Sequence, residues 1–440
     1  MGTTATSVLE QRLAEQINDY IQVVVTTAIA ANTSIISTNL TSYDRGANNY
    51  FKDWWVYITD KANAGVQRQV SSYTSSSGTL VVRGANLSTD SANLATIRLH
   101  RYNRDWYINA LNDAIRETSA HLFRYMDVTE LVLGNLLPNA HFRDWTSSSN
   151  PDKWTTSNVT AAANTTTDYI RGGAKSVKVT ASATDGYLYC SSVTNPYLLG
   201  VMGKNETARV WAYPQVANDA RIYLYTIKAD GTEQNLYSTT TCPAGKWTLL
   251  ELSNQSISDD IVQFQYGLQV RTDTKYAYFD NARLIGADVT NYLLPIDFRD
   301  GHLAQVILQG GAYSDYPADA LLTMDVSEIY GWDIKKDGTD KYLVMPYPYS
   351  GGEQLIRLVG DAPLSTVSAY TDTVEISGEQ VNLLIAYAKY KLYQMVEGQV
   401  SSQEIGRYES QSAKAYGEYM RLLGQVGMTP PRRTANIRNL

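Results

Sequence analysis

The stretch NLLPNAHFRDW, residues 135–145, decides how this chain divides. It follows a helical phrase, NRDWYINALNDAIRETSAHLFRYM at 103–126, and it reads as a strand. Its counterpart is YAYFDNARLIG at 276–286. Taken together, the two phrases are the first and last strands of one module placed inside another protein. Between 134 and 287 the sequence carries only strand and turn signals, as a β-sandwich does.

Alternation sorts the module's strands into faces, because successive side chains of a strand point to opposite sides. In RIYLY, Ile222 and Leu224 oppose Arg221, Tyr223 and Tyr225. In ARVWAY, Val210 and Ala212 oppose Arg209, Trp211 and Tyr213. In VQFQYGLQV, Phe264, Tyr266 and Leu268 oppose Gln263, Gln265 and Gln269. One face of each strand enters a core. The other presents Tyr, Trp, Gln and Arg, the groups that stack on sugar rings and bond their hydroxyls. Trp211, Tyr213, Arg221, Tyr223, Tyr225, Gln263 and Gln265 are therefore expected to line one outward groove. Tyr and Trp also favour strands for their own packing, so the same pattern would arise on a sheet that binds nothing.

Bulk composition narrows the classes. The chain has 440 residues, enough for two or three domains, and is 44% apolar, which excludes wholesale disorder. It has 33 Tyr against 6 Phe, a bias toward half-exposed contact surfaces. The net charge is −7, and no Lys/Arg stripe marks a DNA clamp. The start, MGTTATSVLEQ, lacks the basic and apolar regions of a signal peptide, and no apolar run is long enough to span a bilayer. Asn-x-Ser/Thr triplets, as at Asn32 and Asn158, carry little meaning without secretion. Cys190 and Cys242 both fall in the module, where a disulfide and two free buried thiols are both open.

Outside the module the fold class is α+β. A short helix over 7–21 is expected, with Ser7 and Glu10 as a capping box and Leu9, Leu13, Ile17 and Ile21 on one face. WWVYIT, VQRQVSSY and GTLVVRG form a small antiparallel unit. A helix over 104–126 buries Ile108, Leu111, Ile115, Leu122 and Met126. From 288 the phrases LAQVIL, VSEIYGWDI, KYLVMPY and EQLIRLVG read as strands. Two helices follow. The first is capped by Ser377 and Gln380 and carries Val381, Leu384, Ile385, Ala388 and Leu392. The second is capped by Ser401 and Glu404 and ended by Gly424 and Gly427. The tail cannot be helical through Pro430 and Pro431; with Arg432, Arg433 and Arg438 it reads either as a free polar tail or as an arm that docks on a neighbouring subunit. The expected division is 1–133 and 288–424 for the host, 134–287 for the insert and 425–440 for the arm.

NLLPNAHFRDW, PDKWTT, GAKSVKVT, ARVWAY and YAYFDNARLIG resemble carbohydrate-binding modules of the family-four/nine type. The resemblance implies a jelly-roll sandwich whose adjacent ends let it be spliced into a host loop. DVTELVL at 127–133 and DVTNYLL at 288–294 echo each other at the splice. Such modules often hold a structural calcium near the first and last strands, which here points to Asn139 and Asp280. Arg143 and Asn281 stand where further acids are usual. No other cofactor is implied.

The host phrases YFKDWWVYITDKANAGVQRQVSSY, RLHRYNRDWYINALNDAIRETSAHLF and LIRLVGDAPLSTVSAYTDTVEISGEQVNLLIAYAKYKLYQMV resemble head–tail connector (adaptor) proteins of tailed bacteriophages. This implies a structural virion protein in the neck, assembled in the host cytoplasm as a ring, commonly of twelve copies. Its partners would be further copies of itself, the portal, other neck or tail proteins, genomic DNA passing without sequence-specific contact, and host-surface glycan. The alternatives are a tail-associated or cell-surface glycan-binding protein and, further off, a glycan-degrading enzyme. Catalysis is not expected. A glycosidase needs two carboxylates across a cleft, and the richest set, Asp297, Asp300 and His302 in DFRDGH, reads as a turn. His100, His121 and His141 lack metal-ligand spacing, and GVMGKNE only hints at a phosphate loop.

Overall fold

The computed structural model describes residues 2–90, 94–238, 241–307, 326–349, 354–398 and 402–428. The arm residues Pro430, Pro431, Arg432, Arg433 and Arg438, and Ser401, lie outside the described residues. The chain forms two compact units: Met1–Arg124 with Pro363–Thr429, and Tyr125–Ala362. The second contains the segment 134–287 and also takes in 125–133 and 288–362.

The second unit runs β1 (Arg124–Val132), β2 (Thr155–Ser157), β3 (Val159–Asn164), β4 (Ser176–Ala181), β5 (Gly186–Ser191), β6 (Asn205–Pro214), β7 (Ala220–Lys228), β8 (Glu233–Tyr237) and β9 (Thr248–Ser256). It continues with β10 (Ile261–Val270), β11 (Tyr276–Ile285), β12 (Val289–Leu293), β13 (Asp300–Ile307), β14 (Val326–Glu328), β15 (Asp333–Asp337), β16 (Asp340–Tyr349) and β17 (Leu355–Ala362). Two five-stranded sheets, β3-β4-β11-β6-β9 and β8-β7-β10-β5-β2, make the sandwich. The inward residues that alternation names, Ile222, Leu224, Val210, Phe264 and Leu268, are all fully buried between them. Each such side chain contributes about 2 kcal/mol of apolar burial. Phe279 and Leu188 complete the layer.

The ends of the sandwich lie side by side. NLLPNAHFRDW, expected as the first strand, runs as turns and irregular chain and makes only an isolated bridge, Asn135 to Ile285. The Asn135 side-chain amide donates to the Ala282 carbonyl at 3.0 Å while its Oδ1 accepts from Leu284 N at 2.9 Å. The strands after the sandwich form a sheet β12-β16-β15 and a sheet β14-β13-β17-β1. Val289, Tyr292, Phe298, Leu343, Ile356 and Leu358 join the sandwich's own apolar cluster. VSEIYGWDI is two strands, not one, because Gly331 turns the chain at φ +76°. Asp300-Gly301, expected as a turn, opens β13 opposite Asp361 and Gly360. Cys190 and Cys242 are both free and buried.

Among the described residues the first unit has four α-helices, α1 (Thr6–Gln16), α2 (Arg104–Glu117), α3 (Glu379–Glu397) and α4 (Ser402–Val426). A six-stranded arrangement orders 21–24, 96–100, 55–58, 67–74, 79–82 and 34–36. The helix expected over 104–126 stops at Glu117: Thr118 turns its hydroxyl back to the Ala114 carbonyl at 2.6 Å, and β1 begins at Arg124. The Ser7–Glu10 capping box does not form. Ala5 precedes α1 without a side-chain cap, and Glu10 is instead buried against Arg104 Nε at 2.9 Å. Gly378, at φ +62°, replaces the expected Ser377 cap of α3. No helix among the described residues is long and apolar enough to cross a membrane.

Candidate functional site

The outward face of the β8-β7-β10-β5-β2 sheet gathers most of the expected residues. Strand register stacks them in rows. One row runs Tyr237, Tyr223, Gly267, Tyr189, Thr155 from edge to edge. The row on one side is Arg221, Gln269, Tyr187, Ser157; on the other it is Asn235, Tyr225, Gln265, Ser191. The middle of the face is thus a glycine with a tyrosine on either side and an amide above and below. A Cβ on Gly267 would come within 2.9 Å of Tyr223 Cδ1, so the missing side chain is what lets that ring settle over the strand.

Tyr223 is the hub. Its ring packs nearly parallel to Tyr187, Tyr225 and Tyr237 at centroid distances of 5.4, 6.1 and 5.1 Å. Its hydroxyl donates to Asn235 Oδ1 at 2.8 Å, and only 8% of the residue is exposed. Burial, then the neighbouring tyrosines, raises its pKa, so the hydroxyl stays protonated and remains a donor. Arg221 places its guanidinium 3.9 Å from the Tyr237 ring centre, donates to Gln269 and lies 3.7 Å from Asp185. Burial lowers its pKa, but an arginine remains charged. It braces Tyr237 and Gln269 together. Gln265 sits beside Tyr225, whereas Gln263 pairs with Ile227 at the end of the face.

Trp211 and Tyr213 do not belong to this groove. They lie on β6, in the other sheet, and so on the opposite outer surface. There Arg171 covers Trp211 at 4.4 Å. Tyr213 packs with Tyr169, Trp247 and Tyr278. Local alternation reports which side of a strand a residue occupies; it carries nothing about which sheet the strand joins. Conversely, Tyr187, Tyr189, Asn235, Tyr237 and Gly267 were not singled out for this face. The first two were within reach, since GYLYCS alternates as cleanly as RIYLY.

Asn139 and Asp280 do not fit a shared cation site. Asp280 accepts from Arg171 N at 2.7 Å, Gly172 N at 2.8 Å and Asn281 N at 2.7 Å, and faces His141 at 3.5 Å. A carboxylate so supplied with N–H donors has its charge met by protein. Asn139 bonds the backbone of Asp144 and the Asp152 carbonyl instead. No cluster of three metal-ligating acids, histidines or cysteines occurs among the described residues. Adding a chelator is accordingly expected to leave the melting temperature of the full chain unchanged. Differential scanning calorimetry with and without EDTA checks this, and a fall of several degrees would restore calcium to the account.

No protein-family model matches the chain, and no curated protein matches it. Solved structures similar to part of it include the C-terminal family 22 carbohydrate-binding module of a Clostridium thermocellum xylanase. That match has 19% identity over 35% of this chain and 92% of the other, with a TM-score of 0.29. A second is TmCBM61 in complex with β-1,4-galactotriose, at 14% identity over 34% and 97%, TM-score 0.25. A third is the enzymatically active domain of tailspike protein 4 of bacteriophage CBA120, at 10% identity over 34% and 21%, TM-score 0.27.

Proposed function

We propose that the chain is a glycan-binding protein and that the Tyr237–Tyr223–Gly267–Tyr189 row is its sugar platform. The observation that carries this reading is the glycine between two tyrosines at the centre of an otherwise broad-chained sheet face. A pyranose ring presents an apolar C–H face to a tyrosine and hydroxyls to its edges. Gln265 flanks the glycine along its own strand, so its amide meets those hydroxyls while the rings hold the body; Gln269, on the other side, is buried and held by Arg221. The face holds tyrosines and amides, with Glu233 at its edge bonded to the Tyr225 hydroxyl, which suits retention of a sugar rather than proton transfer.

The adaptor-ring expectation, with its portal partner and its place in the virion neck, rests on the sequence resemblance alone. A glycan array probed with the full chain, followed by calorimetry on the hits, tests the binding reading. Saturable binding to at least one oligosaccharide is expected, weakened about tenfold by Tyr189→Ala, since one stacked ring contributes on the order of 1 kcal/mol. Silence across the array, from protein shown to be folded, would defeat it.

A further inference from the structure

A second site lies away from the sugar platform, and we propose that it binds a small amphipathic anion: an apolar body carrying one carboxylate or sulfonate. It is a cavity of about 590 Å³ enclosed between the segment 134–144, β1 and the β12-β16-β15 sheet. That volume is in the range of small-molecule pockets.

The register of the three-stranded sheet shows how the cavity is built. Leu293 and Lys335 both pair with Tyr342, while Asn291 pairs with Val344, so these side chains share one face. Leu343 and Tyr292 point the other way into the core. The cavity therefore meets the outer face of this sheet, with Leu293 and Val344 as its apolar floor and Leu136 and Leu137 opposite. The two echoing phrases at the splice, DVTELVL and DVTNYLL, both contribute lining residues, Val128 and Val132 from one and Val289 and Leu293 from the other.

Charge is distributed unevenly around this floor. Two acids of the wall are already met: Glu130 by Arg143 at 3.5 Å and by Ala174 N at 3.2 Å, and Asp288 by Lys204 at 2.6 Å. Lys335 and Lys336 line the cavity with no ion-pair partner among the described residues, and Asp333 and Asp337 are exposed on the same strand. Burial pushes the Asp144 carboxyl up to about 6, so it stays mostly ionised at neutral pH, beside Arg143. His141, also in the wall, is 5% exposed; its Nδ1 lies 3.5 Å from Asp280 and neither ring nitrogen makes a hydrogen bond among the described residues. An apolar body would bury against the leucines and valines while its anionic end meets Lys335, which shares their face of the sheet. A neutral sugar would leave both lysines unused and set its hydroxyls against aliphatic carbon.

Anilinonaphthalene sulfonate, an apolar ring system with one anion, is the probe. Titrated into the full chain, it should show one saturable fluorescent site, and octanoate should displace it. The double charge reversal Lys335→Glu with Lys336→Glu, at exposed positions, should weaken it at least about tenfold, the scale of a lost charge-assisted contact. The uncharged dye Nile red should bind that variant as it binds the parent. Leu137→Trp, which fills the cavity, should remove both dyes. Unsaturable binding, or undiminished affinity in the lysine double variant, would overturn the proposal. So would dye binding that survives Leu137→Trp in a protein that still unfolds cooperatively.

Discussion

Gly267→Leu is expected to weaken glycan binding by one to two orders of magnitude while leaving the chain folded. Gly267 is in the interior of β10 and does not need a left-handed backbone, so a leucine is conformationally admissible there. Its side chain would fill the gap between Tyr223 and Tyr189 and displace the Tyr223 ring, which already lies within 2.9 Å of the new Cβ. The loss of two or three stacking contacts at about 1 kcal/mol each implies an affinity drop of roughly 30- to 100-fold. Calorimetry against the best array hit measures the drop, and circular dichroism with a urea melt confirms the fold. Retained affinity would mean that the sugar lies elsewhere. Tyr223→Ala is the poorer test. Tyr223 is packed among three other tyrosines, and deleting it would cost about 3 kcal/mol of stability through the cavity left behind.

The second large effect is on stability against pH. Glu206 is fully buried on β6, and neither carboxylate oxygen has a hydrogen-bond partner among the described residues. Gly286, at φ +148°, lies so close that a Cβ there would come 2.8 Å from the Glu206 carboxyl carbon. Burial pushes this carboxyl up to about 8 from an ordinary value of 4.5, with Lys204 opposing only in part. An unfolded chain releases the proton near the lower value and the folded one holds it to the higher. Between them the folded state binds more protons, so unfolding becomes easier as pH rises. The contribution of Glu206 is thus fully favourable below about pH 4.5 and lost by about pH 8. On the order of 3 kcal/mol is at stake, given about 1.4 kcal/mol per unit and partial relaxation. Urea midpoints across this range should fall for the parent and fall far less for Glu206→Gln. Equal slopes in both proteins would show that the group finds a partner or water.

Much of the sandwich was legible because its signals are local. The alternation in RIYLY and VQFQYGLQV named the buried Ile222, Leu224, Phe264 and Leu268 correctly, since burial on one face is what selects that pattern. What escaped was everything that depends on partners distant in sequence. Tyr223 alternates outward, yet it is buried, because a glycine 44 positions later leaves room for its ring. Trp211 shares Tyr223's pattern but sits on the opposite surface, since sheet membership is set by pairing with β9 and β11. The Ser7–Glu10 capping box failed for a similar reason. Glu10 had a stronger partner in Arg104, 94 positions on, than in the first turn of its own helix. The strands after 288 read as strands, but no local signal said that Leu343 and Ile356 would join the sandwich's apolar cluster.

The Asn135–Ile285 bridge also has a mechanical meaning. Tension entering along β1 and leaving along β12 meets the two ends of the sandwich where they are already fastened to each other. The Asn135 side chain adds two further bonds across the same seam. Load passes through this short clasp and bypasses the 149 positions between Asn135 and Leu284. The sandwich would stay unstretched under tension applied between its two ends, until the clasp itself gives way.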